Sequence, residues 1–289
     1  MPRAEAKIGV IGGSGLYEIA GMTDIEEVND TTPFGRPSDT ITVGRLEGVG
    51  IAFLPRHGKG HRIMPTELPS RANIFALKSL GVEHIIAINS AGSFKKEIKP
   101  GHLLIPDQLI DRTRNRVNTF FGGGIVAHVS FAEPFCLKLS KVLYESAQEV
   151  GVDVHPKGTM VVMEGPAFST RAESQLYKSW GADIIGMTAL PEAKLARVAE
   201  ICYAIIGCST DYDSWWEPGT PVTVDMILET MRKNIETSKK IIKLAVGRIP
   251  GKRDCACSRA LESAIVTAPE QIPAETKKKL GLIIGKYIK

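Results

Sequence analysis

Lys7-Ile8-Gly9-Val10-Ile11-Gly12-Gly13-Ser14-Gly15 is the stretch on which the fold turns. A short run rich in β-branched residues, closed by a glycine turn, reads as a buried strand. Backbone N–H groups in such a turn come close enough to hold an anion. The dinucleotide fingerprint is incomplete: Gly13 and Gly15 fit its first two glycines, but Glu18 falls on the third. The Lys-Ser/Thr ending of a nucleotide phosphate loop is missing too. At this point a tight bend that needs glycine explains the turn equally well.

Outward from that strand, apolar runs alternate between two periods. Residues 51–54 form a second apolar run, stopped by Pro55. Residues 68–80 place Ala72, Phe75, Ala76 and Leu80 at helical spacing, and Gly81 follows as a stop. Short strands are predicted at 84–89, 103–105, 159–163, 182–185 and 204–209. Helices are predicted at 134–150, 171–180, 191–203 and 224–249. Strands and helices in alternation predict an α/β fold with helices flanking a central sheet. Residues 112–133, with Gly122-Gly123-Gly124, have no period and read as a functional or interface loop.

The chain has 289 residues, 43% hydrophobic and 24% charged, which excludes a disordered or fibrous protein. Its 36 basic and 32 acidic residues give +4, but eight of the basic and four of the acidic ones lie beyond residue 249. The body is therefore neutral, which argues against a nucleic-acid binder. No apolar run is long enough to span a bilayer, and the first residues lack the apolar stretch of a secretory signal. The expectation is a cytoplasmic protein with no membrane partner. It has a domain over 1–250 and a basic, helical tail over 251–289 packed on it. Cys255 and Cys257 lie in that tail with no His or third Cys nearby in sequence, a poor metal site, so no metal is expected and ordinary thiols are favoured over a redox pair or disulfide.

Chemistry-bearing residues gather after the strands. Pro55-Arg56-His57-Gly58 offers a guanidinium fork and an imidazole that suit phosphate oxygens, though such a pair also reads as solvated. Asn89-Ser90-Ala91-Gly92 offers small residues and N–H donors. Phe168 in Glu164-Gly165-Pro166-Ala167-Phe168-Ser169 can stack on a flat ring. Gly186-Met187-Thr188 adds a hydroxyl. Asp211 and Asp213 in Thr210-Asp211-Tyr212-Asp213 are expected to project to one side of an extended segment. Ligands of open α/β sheets collect at such strand ends.

The ordered set, from Gly-Gly-Ser-Gly-Leu at 12–16 to Thr-Asp-Tyr-Asp at 210–213, resembles the trimeric branch of the purine nucleoside phosphorylase family. The resemblance implies a single α/β domain with a central mixed β-sheet flanked by helices. It implies phosphate binding by Ser14, Arg56, His57, Ser90 and Thr188. It places the purine and ribose near Ala91, Gly92, Phe168, Met187, Asp211 and Asp213. A carboxylate accepts from a 6-amino group where a 6-oxo group needs a donor, so Asp211, Asp213 and Ser169 imply a 6-aminopurine. The implied reaction is phosphorolysis of S-methyl-5′-thioadenosine, phosphate being a co-substrate and no cofactor being needed. Asp211 is the implied acid for N7. A homotrimer or dimer of trimers is implied, with His128 lent to a neighbouring subunit's pocket. Rival readings are a 6-oxopurine phosphorylase, a nucleosidase and a dinucleotide-binding module.

Overall fold

The computed structural model describes residues 5–13, 16, 19–216 and 224–288. In chain order the strands and α-helices are β1 Ile8–Gly12, β2 Thr23–Val28, β3 Ile41–Leu46, β4 Val49–Pro55, α1 Ser70–Ser79, β5 His84–Ser93, β6 Leu103–Leu104, β7 Gln108–Arg112, α2 Leu137–Val150, β8 Val154–His155, β9 Thr159–Met163, α3 Arg171–Ser179, β10 Ile184–Gly186, α4 Ala189–Val198, β11 Cys202–Asp211, α5 Val224–Val246 and α6 Ala274–Ile284. The strands form one mixed sheet in the order β2-β3-β4-β1-β5-β10-β9-β7. A branch through β11, β6 and β8 leaves from β5.

β5 is the branching strand, and its register explains how. Its first residues lie parallel to β1 (Ile8 opposite His84) and parallel to β11 (Cys202 opposite His84). Its last two, Gly92 and Ser93, pair antiparallel with Ile185 and Ile184 of β10. Side chains alternate across the sheet with period two. Ile86, Ile88, Ala204 and Ile206 face α2 and α5, where Leu139, Leu143, Ile241 and Ile242 cover them. Ile85, Ala87, Tyr203 and Ile205 face the side covered by α1, α4 and α6, through Leu77, Leu195 and Leu280. The tail therefore completes one layer of the core.

Several sequence expectations are corrected. The helix expected over 191–203 is α4, which starts at Ala189 and ends at Val198, because Cys202 and Tyr203 already pair as strand with β5. Ser90 to Ser93, expected to follow the end of the strand, continue β5. β2, β3 and β7 were not predicted. β2, Thr-Asp-Ile-Glu-Glu-Val, is an exposed edge strand with no apolar alternation to announce it.

The tail is tied down by charge as well as by burial. Glu200, 4% exposed, accepts hydrogen bonds from the Leu261 N–H (3.1 Å), from Lys286 Nζ (2.7 Å) and from the Tyr287 hydroxyl. Ile272, Leu280, Ile283 and Ile284 are buried beside it. Leu280→Ala is expected to cost about 2–5 kcal/mol, as a buried leucine does when truncated. A urea melt of the variant would test this; an unchanged midpoint would mean that the tail is not part of the cooperative core.

Candidate active site at the strand ends

The C-terminal ends of β1, β4, β5 and β11 and the turns after β9 and β10 meet in one region, and Arg56 lies at its base. Its N–H donates to the Gly12 carbonyl (2.9 Å), joining the end of β4 to the glycine turn. Its side chain is 2% exposed. Nε and Nη2 donate to the two oxygens of Glu192 (2.6 and 3.1 Å), and Nη1 donates to the Ile88 carbonyl (2.8 Å). Glu192, in the first turn of α4, is 1% exposed and also accepts from the Tyr203 hydroxyl (2.9 Å). Burial alone would lower the Arg56 pKa, but the Glu192 carboxylate overrides it and holds the pKa above the ordinary value. Burial likewise lifts the Tyr203 phenol well above its usual range, with Glu192 adding to the effect. The sequence assigned the whole fork to an anion. In the structure one edge belongs to Glu192, and Nη1 and Nη2 also donate within the protein, to the Ile88 and Ile11 carbonyls and to Asn89 Oδ1.

Further polar groups lie at the neighbouring strand ends. Asn89 Nδ2 donates to Thr188 Oγ1 (2.7 Å), so the Thr188 hydroxyl proton is available to another acceptor. Ser90 is exposed at the strand end. The ring of His57 is fixed by Nδ1 lying 2.8 Å from the Ile63 carbonyl, which can only accept. Nδ1 therefore carries the proton, and Nε2 of the neutral ring is an acceptor. Burial, and then the charges of Arg56 and His61, push the His57 pKa down to about 4. Neutral His57 therefore does not supply the donor that the sequence suggested. Ser14 lies outside the described residues.

The second half of the region is a carboxylate pair built over a glycine. The pairing of β11 with β5 shifts register between Ser209 and Asp211, a bulge that re-aims the strand end and sets Asp211 opposite Gly92. Asp211 Oδ2 accepts from Thr210 Oγ1 (2.7 Å), and Oδ1 accepts from the Asp213 N–H (2.7 Å). Asp213 is not on an extended segment, as alternation predicted: it sits in a tight turn at φ +49°. The bulge and turn, not strand alternation, bring the two together. A Cβ at Gly92 would lie 3.0 Å from Asp211 Oδ1 and 3.1 Å from Asp213 Cβ, so only glycine leaves both acids in place. Trp215 Nε1 holds the turn by donating to the Ser93 carbonyl (2.7 Å). Asp213 has its pKa raised, first by burial and also by the charge of Asp211.

The other expected residues are placed unevenly. Ala91 is buried, and its carbonyl accepts from Thr210 Oγ1 (3.3 Å). Phe168 is 57% exposed, so it is not a core phenylalanine. Met187 packs on Gly165, whose added Cβ would meet its sulfur at 2.6 Å. Ser169 is buried, and its carbonyl accepts from Ser214 Oγ (2.8 Å), next to Asp213. His128 is exposed, and its N–H donates to Ala264 of the tail (2.8 Å); the structure does not link it to the strand-end cluster.

Sequence reasoning missed Glu192 and Arg116. Glu192 shares a helical face with Leu195, Ala196 and Ala199, and an acid on an apolar face is a readable sign of a buried partner. Arg116 gave no such sign. From the aperiodic loop it donates to the carbonyls of Met187 (2.6 Å) and Leu190 (2.7 Å) and pairs with Glu164 (3.3 Å), tying the turns after β9 and β10 together. Sequence distance also hid a grouping away from the site: the Sγ atoms of Cys136, Cys202, Cys255 and Cys257 all lie within 4.8 Å of one another. The two tail cysteines are thus not isolated, which corrects the expectation made for them.

A buried arginine–carboxylate pair, hydroxyl donors and an acid pair at neighbouring strand ends suit an enzyme that holds an anion beside a nitrogenous base. The family model of the phosphorylase superfamily matches residues 7–247, and the chain belongs to that superfamily. Within it, the chain is 56% identical to the S-methyl-5′-thioadenosine phosphorylase of Geobacter sulfurreducens, over 98% of this chain and 100% of that one. Among solved structures it resembles a methylthioadenosine phosphorylase from an Antarctic soil metagenomic library, with TM-score 0.93, 45% identity, and 97% and 99% of the two chains covered. It also resembles a variant of the Schistosoma mansoni adenosine/methylthioadenosine phosphorylase in complex with methylthioadenosine, with TM-score 0.81, 38% identity, and 90% and 97% covered. Among the described residues no helix is long and apolar enough to cross a membrane.

Two substitutions test this construction. Glu192→Ala leaves Arg56 buried without its counter-charge, and a loss of about 3–5 kcal/mol is expected in chemical denaturation; a change under 1 kcal/mol would show that Arg56 relaxes to solvent. Asp213→Asn removes a carboxyl whose ionisation the fold disfavours. Because its pKa is raised, that cost is absent at pH below the ordinary carboxylate range and appears as pH rises through it. The variant is therefore expected to melt a few degrees higher at pH 8 and not at pH 4, while losing activity.

Proposed function

We propose that the chain catalyses phosphorolysis of S-methyl-5′-thioadenosine, releasing adenine and 5-methylthioribose 1-phosphate. The observation that carries this reading is the convergence of two unlike half-sites on one strand. Near Asn89 of β5 lie Arg56 and Thr188; at Gly92 lie Asp211 and Asp213. The whole-length relatives named for that reaction support it.

Phosphate is assigned to the positive charge of Arg56, to Ser90 and Thr188, and to Ser14. Nε2 of neutral His57 accepts, so it meets phosphate through a P–OH group and favours the protonated form of the anion. Phosphate attacks C1′ of an oxocarbenium-like sugar as adenine departs. Adenine is a poor anionic leaving group, so N7 must gain a proton. Asp211 is assigned to N7 and Asp213 to the 6-amino group, with Ser169 behind them. The raised pKa of Asp213, caused first by its burial, favours the protonated form of that carboxyl. Phe168 and Met187 are assigned to the base and ribose.

The functional unit is proposed to be a homotrimer or a dimer of trimers in the cytoplasm. His128 serves the 5′ end of a neighbouring subunit's substrate. Its exposure and its place on a loop are the observations in favour.

Adenine release from methylthioadenosine should be strictly phosphate-dependent; release without phosphate would make the chain a nucleosidase. General acid catalysis contributes about 10²–10⁴-fold, so Asp211→Asn should lower kcat/KM on adenine nucleosides by that order and shift relative preference toward 6-oxopurines. Unchanged adenine release by this variant would remove Asp211 from the mechanism. A fully active monomer in analytical ultracentrifugation would remove the shared pocket.

A further inference from the structure

The cysteine cluster lies away from the strand ends and has no part in phosphorolysis. Cys202 opens β11, whose other end carries Asp211 nine residues later, a distance of about 30 Å at strand rise. Cys136 is the residue immediately before α2. Cys255 and Cys257 flank Ala256 at the start of the tail. The four come from three distant parts of the chain, and their sulfurs converge to within 4.8 Å of one another. Three are buried at 5% exposure or less, and Cys255 is half-buried.

We propose that Cys136, Cys202, Cys255 and Cys257 form a structural tetrathiolate zinc site that fastens the C-terminal tail to the phosphorylase domain. Four thiolates around a tetrahedral zinc at ~2.3 Å place their sulfurs ~3.8 Å apart. The cluster already has that scale: Cys202 and Cys255 are 3.3 Å apart at sulfur, well beyond the ~2.05 Å of a disulfide. Four protein ligands and no open position define a structural site, and an all-sulfur set selects zinc among common divalent ions.

The surroundings suit the double negative charge of such a centre. Cys136 sits at the N-terminus of the 14-residue α2, the positive end of its dipole. Lys138 and Arg253 line the hollow that Cys136, Cys202 and Cys255 share, as does Asp254; Lys138 pairs with Asp254 and Arg253 with Glu83 (3.2 Å). The ligands are also held from behind. The Cys136 N–H donates to the Tyr203 carbonyl (2.8 Å), the Cys202 N–H to the Glu83 carbonyl (2.9 Å), and Ser258 Oγ to the Cys255 carbonyl (3.2 Å). Binding exchanges the thiol protons for the metal: four S–H bonds break, four Zn–S bonds form, and the protons leave to buffer, with no change of oxidation state.

The full-length chain, reduced and stripped of metal under anaerobic conditions, is titrated with cobalt(II) and then with zinc(II). One cobalt per chain is expected, with the intense visible bands of a tetrahedral tetrathiolate, displaced by one zinc that raises Tm. The Cys255→Ser/Cys257→Ser variant should lose the spectrum, and Cys208→Ser, which alters the one cysteine outside the cluster, should keep it. A fully reduced wild-type chain that takes up no cobalt overturns the proposal without recourse to any variant. So does an anaerobically isolated, metal-free chain whose intact mass shows the four cysteines already joined as disulfides.

Discussion

Arg56 brings a permanent charge into the core at 2% exposure, and the arrangement around it is what keeps that charge tolerable. A buried ion without a partner costs several kcal/mol. Glu192 supplies the counter-charge from α4, Tyr203 steadies Glu192 from β11, and the Ile88 carbonyl of β5 takes a further N–H. The Arg56 backbone meanwhile holds the end of β1. Five elements are thereby placed around one guanidinium. The guanidinium is consequently fixed in place from several sides, a condition for electrostatic stabilisation without reorganisation.

The fold was largely legible because its core strands are short apolar runs and its helices amphipathic. β9 begins and ends at the predicted residues. What failed to show has physical reasons. β2 and β7 are edge strands with partly or wholly exposed side chains, so no burial pattern was written into them. The strand was read as ending at Asn89, because the β-branched run stops there. Gly92 is small because Asp211 and Asp213 lie over it. Arg56 and the aspartates were singled out from residue type and position after strands, and the structure gathers them at neighbouring strand ends. The state of His57 and the location of the raised carboxyl pKa depend on burial and partners, which a linear sequence does not record. The cysteines show the same limit: a pair two residues apart is visible in sequence, and its partners 53 and more residues away are not.

The tail illustrates how net charge can mislead. Its basic excess suggested an appendage, yet Lys286 is spent on the buried Glu200 and Leu280 on the core. It behaves as part of the domain, clamped where β11 begins and remote from where that strand delivers its acid.

β5 sets one further quantity. Asn89, which donates to Thr188, and Gly92, beneath the acid pair, are three residues apart on a single strand. At strand rise that is about 10 Å. The cleft thus carries a built-in ruler whose graduations are peptide units. Its length can change only in whole residues, and an insertion or deletion within it would turn the following side chains to the opposite face. Substrate choice in such a scaffold has to be altered at the ends of the ruler, by exchanging side chains, and not by stretching it.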